Sequence, residues 1–338
     1  MKKITIHDIA HELNITFSTV ARALNDHPAI SSATKKAVKE TAERLGYRQN
    51  KLASSLRSGK THTIGIIVPS LHVSFFSSVV SGIERVMNDN GYSTLLYQSN
   101  ESLIQEKKGI ETFMKLRVDG IISSITTETL EHSHYLDIKK RNIPLVLFDR
   151  IIEGLDAPSV TINDYQGGFL ATEHLIKQNY KHILHITAEQ DISIFKERLR
   201  GYIDALKYYH LPVREELIIK GKSSKEFGSA VITDVLNRNL IFDSVFALDI
   251  TAIGVIQELN ARKISIPDQV GVIGFANESF GELISPRLST VDQQTVRMGE
   301  EAAKLFLKIS ENEHSNYSYE NMVLDPLLII RESSMRRL

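Results

Sequence analysis

From Thr63 to Val291 the chain alternates short β-rich runs with amphipathic stretches of helical length, and that alternation limits the fold more than any other feature. The β-rich runs are Ile64–Val68, Thr94–Tyr97, Gly120–Ser123, Leu145–Phe148, Ser159–Ile162, Ile183–Ile186, Leu217–Ile219, Val245–Leu248, Val270–Ile273 and Leu288–Val291. Between them lie stretches such as Ser78–Asn90, Gln105–Leu116, Gln166–Gln178, Lys196–Tyr209 and Thr251–Arg262. Repeated strand-then-helix units predict an α/β body of parallel sheets with helices on both faces. Ten strands are many for one doubly wound sheet, which points to two lobes.

Before Thr63 the pattern is helical only. Thr5 can cap a first helix, with Asp8 placed to reach back, and Ile6, Ile9, Ala10 and Leu13 follow at helical spacing. Asn14-Ile15 breaks the run. Thr16 then opens a second helix, Phe17 to Asn25, with Val20, Ala21 and Leu24 as its apolar positions and Phe17, Ser18, Thr19 and Arg22 left exposed. A third helix, Ser32 to Leu45, sets Ala37, Val38, Thr41, Ala42 and Leu45 on one side and stops at Gly46. Two short helices with a tight turn match the helix-turn-helix plan, although a hairpin within a larger helical fold has the same pattern. Pattern alone leaves both open. Residues 1–62 hold eleven Lys and Arg against five Asp and Glu, a surplus of six, so a chain of net charge −1 has −7 in the remainder. A basic head on an acidic body suits a module that neutralises phosphates.

Other classes find little support. No run of about 18 apolar residues is present to span a membrane, and no apolar leader follows Met1. With no cysteine there are no disulfides or thiolate metal sites. A cytoplasmic protein is the simplest expectation. Gly59-Lys60-Thr61 resembles the end of a phosphate-binding loop, but residue 54 is Ser54 rather than glycine. His182 and His185, three apart in a strand, face opposite sides, and His132 and His134 lack a third ligand. Without a nucleophile elbow, HExxH or GxGxxG, no enzyme, metal or cofactor is expected.

The segments "TIHDIAHELNITFSTVARALN", "ISSATKKAVKETAERLGYRQNKLASSLRSGKT" and "IGIIVP" resemble the N-terminus of the lactose-repressor and galactose-repressor family of bacterial transcription factors. The likeness continues through "VDGII", "PLVLFDR", "INDYQGGFLATEHLI", "KERLRGY", "IPDQVGVIGFANE", "PRLSTVDQ" and "LIIRESS". It implies two Rossmann-like lobes of the periplasmic-binding-protein type, joined by three crossing strands. The domains would be a helix-turn-helix head (1–49), a hinge helix and linker (50–62) and an effector-binding and dimerisation body (63–338). Within the body, the N-lobe would take about 63–161 plus 292–322, and the C-lobe 162–291 plus 323–338.

The resemblance also assigns sites. Phe17, Ser18 and Arg22 would read bases, Arg22 a guanine edge and Phe17 a thymine methyl, unless Phe17 packs inside the module. Thr5, Thr16, Thr19, Asn25 and Ser31 would contact the DNA backbone. In the hinge, Asn50 can cap a helix carrying Ala53 and Leu56 on one face, and Leu56 matches the leucine that wedges into the minor groove. Phe75, Phe76, Asp149, Arg198, Asp249 and Asn277 are the effector candidates. Leu248 and Ala276 depart from the family's asparagine and aspartate. The function implied is a homodimeric repressor of carbohydrate-use genes, binding double-stranded operator DNA and a sugar or sugar phosphate. The alternatives are a purine-type corepressor on the same fold, a soluble sugar-binding protein, and a sugar-processing enzyme.

Overall fold

The computed structural model describes residues 4–47, 59–72, 74–152, 154–189, 192–311 and 320–336. The chain divides into two units, residues 1–61 and 62–338.

Among the described residues the first unit has three helices: α1 (Ile6–Glu12), α2 (Phe17–Leu24) and α3 (Ser32–Leu45). The Asp8 carboxylate accepts from the Thr5 backbone N–H at 2.8 Å and from its hydroxyl at 2.7 Å. Thr16 and Ser31 cap the other two by accepting from the Thr19 and Thr34 backbone N–H groups. At the end of α3, Gly46 takes φ +67°. Its N–H reaches the Glu43 carbonyl, and the Tyr47 N–H reaches that of Ala42 at 2.8 Å, satisfying carbonyls the helix leaves open. Ile9, Ala10, Val20, Ala23, Val38 and Ala42 form the core. Here the structure corrects the expectation for α2: Ala23 is fully buried while Ala21 is only half-buried. Residues three apart, Val20 and Ala23, point straight inward, and Ala21 and Leu24 flank them.

The second unit contains, in order, β1 (Thr63–Val68), α4 (Ser74–Asp89), β2 (Ser93–Gln98), α5 (Leu103–Leu116), β3 (Gly120–Ser123), α6 (Ser133–Lys140), β4 (Leu145–Phe148), β5 (Ser159–Ile162) and α7 (Asp164–Lys177). It continues with β6 (Ile183–Ala188), α8 (Ser193–Tyr208), β7 (Ile218–Gly221), α9 (Lys225–Asn237), β8 (Ser244–Ala247), α10 (Asp249–Ala261), β9 (Gly271–Phe275) and β10 (Ser289–Asp292). Last come α11 (Thr295–Glu311), β11 (Asn321–Leu324) and β12 (Leu327–Ile329). Two six-stranded sheets result, in the orders β11-β5-β4-β3-β1-β2 and β12-β10-β9-β8-β6-β7. Among the described residues all pairings are parallel except β10 with β12. Central strands such as β3, β4 and β8 are buried along their whole length, as expected for parallel sheets covered on both faces.

The chain passes between the sheets after β5, after β10 and between β11 and β12. The carboxyl ends of the strands of each sheet therefore face the other lobe, the position where open α/β sheets hold ligands. β7 starts at Ile218 rather than Leu217, because Glu215–Leu217 form a 3₁₀ turn.

Candidate nucleic-acid interface and interlobe cleft

In the head, α2 presents the expected reading face. Phe17 is 55% exposed, its ring 5.2 Å from that of His7, so it does not pack inside the module. Ser18 and Arg22 are exposed, and Arg22 has no carboxylate partner among the described residues. Other basic residues of the head are engaged: Lys39 pairs with Asp26 at 3.0 Å and Arg44 with Glu12 at 2.5 Å. Thr5, Thr16, Thr19 and Ser31 hold helix starts, and Asn25 ties its amide to the Ala21 carbonyl at 2.9 Å. Asn50, Ala53 and Leu56 lie outside the described residues.

In the body, Asp149 and Arg198 come together with three groups that sequence reasoning missed: Glu101, Arg150 and Asp164. Asp149 follows β4 with φ +60°, a left-handed conformation that Asp tolerates better than most residues. Burial pushes its carboxyl up to about 6; the Arg150 guanidinium opposes this, Asp164 adds to it, and Arg198 opposes it. Asp164, the first residue of α7, accepts from Arg198 Nε at 2.8 Å. Both are buried, and burial raises the Asp164 pKa against the pull of Arg198. The Arg198 guanidinium lies 3.9 Å from the centre of the Phe275 ring, a cation–π placement. Arg150 donates to both Glu101 oxygens, at 3.0 and 2.9 Å, and sits 5.5 Å above Phe76.

Two glycines make the Asp164–Arg198 pair possible. A Cβ at Gly168 would lie 2.2 Å from the Arg198 carbonyl oxygen, and one at Gly201 would lie 2.1 Å from that of Tyr165. Their hydrogens let α7 and α8 touch backbone to backbone.

Asp249 and Asn277 form a second cluster. Asp249, 1% exposed at the start of α10, accepts from the Thr290 hydroxyl and the Glu278 backbone N–H, each at 2.7 Å. Burial pushes its pKa up to about 7, against these hydrogen bonds. The Asn277 amide oxygen accepts from Arg331 at 3.0 Å and its nitrogen donates to Asp292 at 3.2 Å. Phe75 and Phe76 stand apart from both clusters in role. They are buried edge-to-face in the N-lobe core, and Phe76 also underlies Arg150. Asp164 and Arg150 carried a signal in the sequence, as the charged members of "INDY" and "FDR".

The described residues thus give a head of three helices, with one surface of α2 exposed, and a two-lobed body with charged groups at the strand ends. Residues 5–50 match the model of the family described as bacterial regulatory proteins, lacI family. Residues 61–321 match that of periplasmic binding proteins and the sugar binding domain of the LacI family. The chain belongs to the LacI family of bacterial regulatory proteins. Among its LacI-family relatives, catabolite control protein A of Priestia megaterium is 33% identical over 313 residues, 92% of this chain and 93% of that protein. The transcriptional regulator CelR in complex with cellobiose is 26% identical with a TM-score of 0.73, over 98% of this chain and 99% of that one. The lac repressor dimer bound to operator and the anti-inducer ONPF has a TM-score of 0.87 over 99% and 100% of the two chains. At 20% identity that likeness speaks to the fold alone.

Proposed function

We propose that this LacI-family protein is a cytoplasmic, ligand-responsive repressor that binds a pseudo-palindromic operator as a homodimer. In this reading residues 1–49 read DNA, residues 50–62 form a hinge, and residues 63–338 bind the effector and dimerise. The observation that carries it is the outer surface of α2: Arg22 is exposed with no carboxylate partner among the described residues, and Phe17 at the start of the helix is exposed as well. An arginine left unpaired at that place is ready to donate two hydrogen bonds to a guanine edge. Leu56 is the minor-groove wedge of this proposal.

The effector is a carbohydrate seated between the lobes. Asp149, Asp164, Arg150 and Arg198 gather at the strand ends, and carboxylates and guanidinium groups suit the hydroxyls of a polyol.

Selection of sites from random duplex DNA at one fixed, moderate salt concentration tests the proposal, since phosphate contacts make affinity salt-dependent. Parallel arms contain pooled sugars, sugar phosphates or purines. Enrichment of a pseudo-palindrome, altered by sugars, is the expected outcome, and Leu56→Ala should weaken the selected site more than random DNA. Dependence on purines would move the effector to a corepressor. No enrichment in any arm would sink the repressor reading.

A further inference from the structure

The loop after β9 is held more firmly than a connecting loop needs to be. Ala276 has φ +142°, a backbone conformation that persists only where the surroundings impose it, and Asn277 follows with φ +55°, the left-handed conformation that Asn tolerates. The imposing contacts are all in view. Thr290 accepts from the Asn277 backbone N–H at 3.2 Å, and the buried Asp249 accepts from that of Glu278 at 2.7 Å. Asp292 and Arg331 fix the Asn277 amide from two sides. Asp249 and Asn277 thus have their polar atoms committed to the loop, and what the loop delivers is the Glu278 side chain.

That side chain reaches the opposite lobe. The Ser74 hydroxyl, in the first turn of α4, donates to the Glu278 carboxylate, and the Phe75 backbone N–H of the same turn is near enough to pull the Glu278 pKa down. The first N–H groups of a helix have no partner within it, and its amino end favours negative charge. Glu278 therefore meets the first turn of a helix of the N-lobe from a loop of the C-lobe, bonded to Ser74, 204 residues away in sequence. It is half-buried there, and burial raises its pKa against the pull of the Phe75 N–H.

We propose that Glu278 is a latch between the lobes, a C-lobe carboxylate whose seat on the first turn of α4 fixes how the lobes meet. Asp249 and Asn277 act through it as positioning residues. Taken with the reading of the cleft as the effector site, the latch regulates that site, because any movement of the lobes on binding must break or remake it.

The chain has no cysteine, so two introduced ones report without background. Ile104 in the N-lobe and Glu226 in the C-lobe are exposed, each just beyond an edge strand. Spin labels there, in the full-length protein without added ligand, give the interlobe distance by double electron–electron resonance. Glu278→Ala should shift the distances longer and broaden them, and amide exchange in the first turn of α4 should quicken roughly tenfold. Glu278→Gln keeps an acceptor oxygen and loses the charge, and should give an intermediate distribution. It carries the test if Glu278→Ala does not fold. Glu226 is itself a label site, so Glu301→Ala on α11 serves as the control charge removal and should change nothing. A folded Glu278 variant with the parent's distances and exchange overturns the latch. Failure of every sugar and purine to alter DNA binding would strike the effector reading and leave these distances, and the latch, standing.

Discussion

Arg22 and Arg198 show two ways for one side chain to serve recognition. Arg22 lies in solvent on a short helix, with no carboxylate partner among the described residues, and its local environment asks nothing of it. Arg198 is 5% exposed, bonded to a buried Asp164 and laid over Phe275. A DNA duplex brings its own charge and shape, so the head needs only to present the guanidinium. A small ligand brings few contacts, so a cleft must hold its polar groups in place beforehand. Stability and recognition should therefore separate at Arg22 and be inseparable at Arg198.

The largest effect is expected from removing Arg198. Arg198→Ala leaves Asp164 buried without its partner, and loss of one member of a buried pair costs about 3–5 kcal/mol, to be read from urea denaturation. A loss below 1 kcal/mol would show the pair to be no more than a surface contact, and the contrast with Arg22 would collapse.

Next comes the helix crossing that makes the pair. Gly201→Ala would press a methyl onto the Tyr165 carbonyl, and overpacking of this kind costs about 1–3 kcal/mol. Denaturation of the variant checks it.

Acidity sharpens the comparison from another side. Asp249 is raised from its ordinary 3.8 to about 7 by burial, so the folded protein holds this proton more tightly than the unfolded chain does. Its contribution to stability falls as pH rises from 3.8 toward 7, by at most about 1.4 kcal/mol per pH unit. His185 and His174, lowered to about 4 by burial, act in the opposite sense, because charging them below 6.5 favours unfolding. Comparing the parent with Asp249→Asn isolates the carboxyl. The parent's Tm should rise relative to the variant's between pH 8 and pH 5, and a constant gap would refute the shift.

The smallest effect on folding belongs to Arg22. Arg22→Ala should change stability by less than about 0.5 kcal/mol. It should nevertheless lower affinity for a selected site by about 1–3 kcal/mol and relax base preference at one position in each half. Equal binding by parent and variant would remove Arg22 from the reading face.

Local chemistry in the sequence determined the helices of the head and most strands of the body. Thr16, Ser31 and Gly46 are caps that act within a few residues, so α2 and α3 could be placed from their neighbours alone. β4 was legible as a continuous apolar run, Leu145–Phe148, and β3 and β5 as short β-branched runs around Ile121-Ile122 and Val160-Thr161-Ile162. β11 and β12 were not, since they are short edge strands that are only partly buried, and only pairing with β5 and β10 makes them strands. The inner face of α2 went to Ala23 instead of Ala21, a choice made by the contact with α1 and α3.

Residue types in familiar segments pointed to Asp149, Arg198, Asp249 and Asn277, but only the tertiary structure decided what each one touches. Arg198 meets Asp164 because two glycines on different helices allow a backbone contact. Asp249 and Asn277 turn inward to hold a loop, and Glu278, unremarked in the sequence, crosses to the other lobe. The reason is range. Capping and periodicity act over three or four residues, whereas these contacts join positions 29 to 204 apart, and only the folded chain brings such positions together.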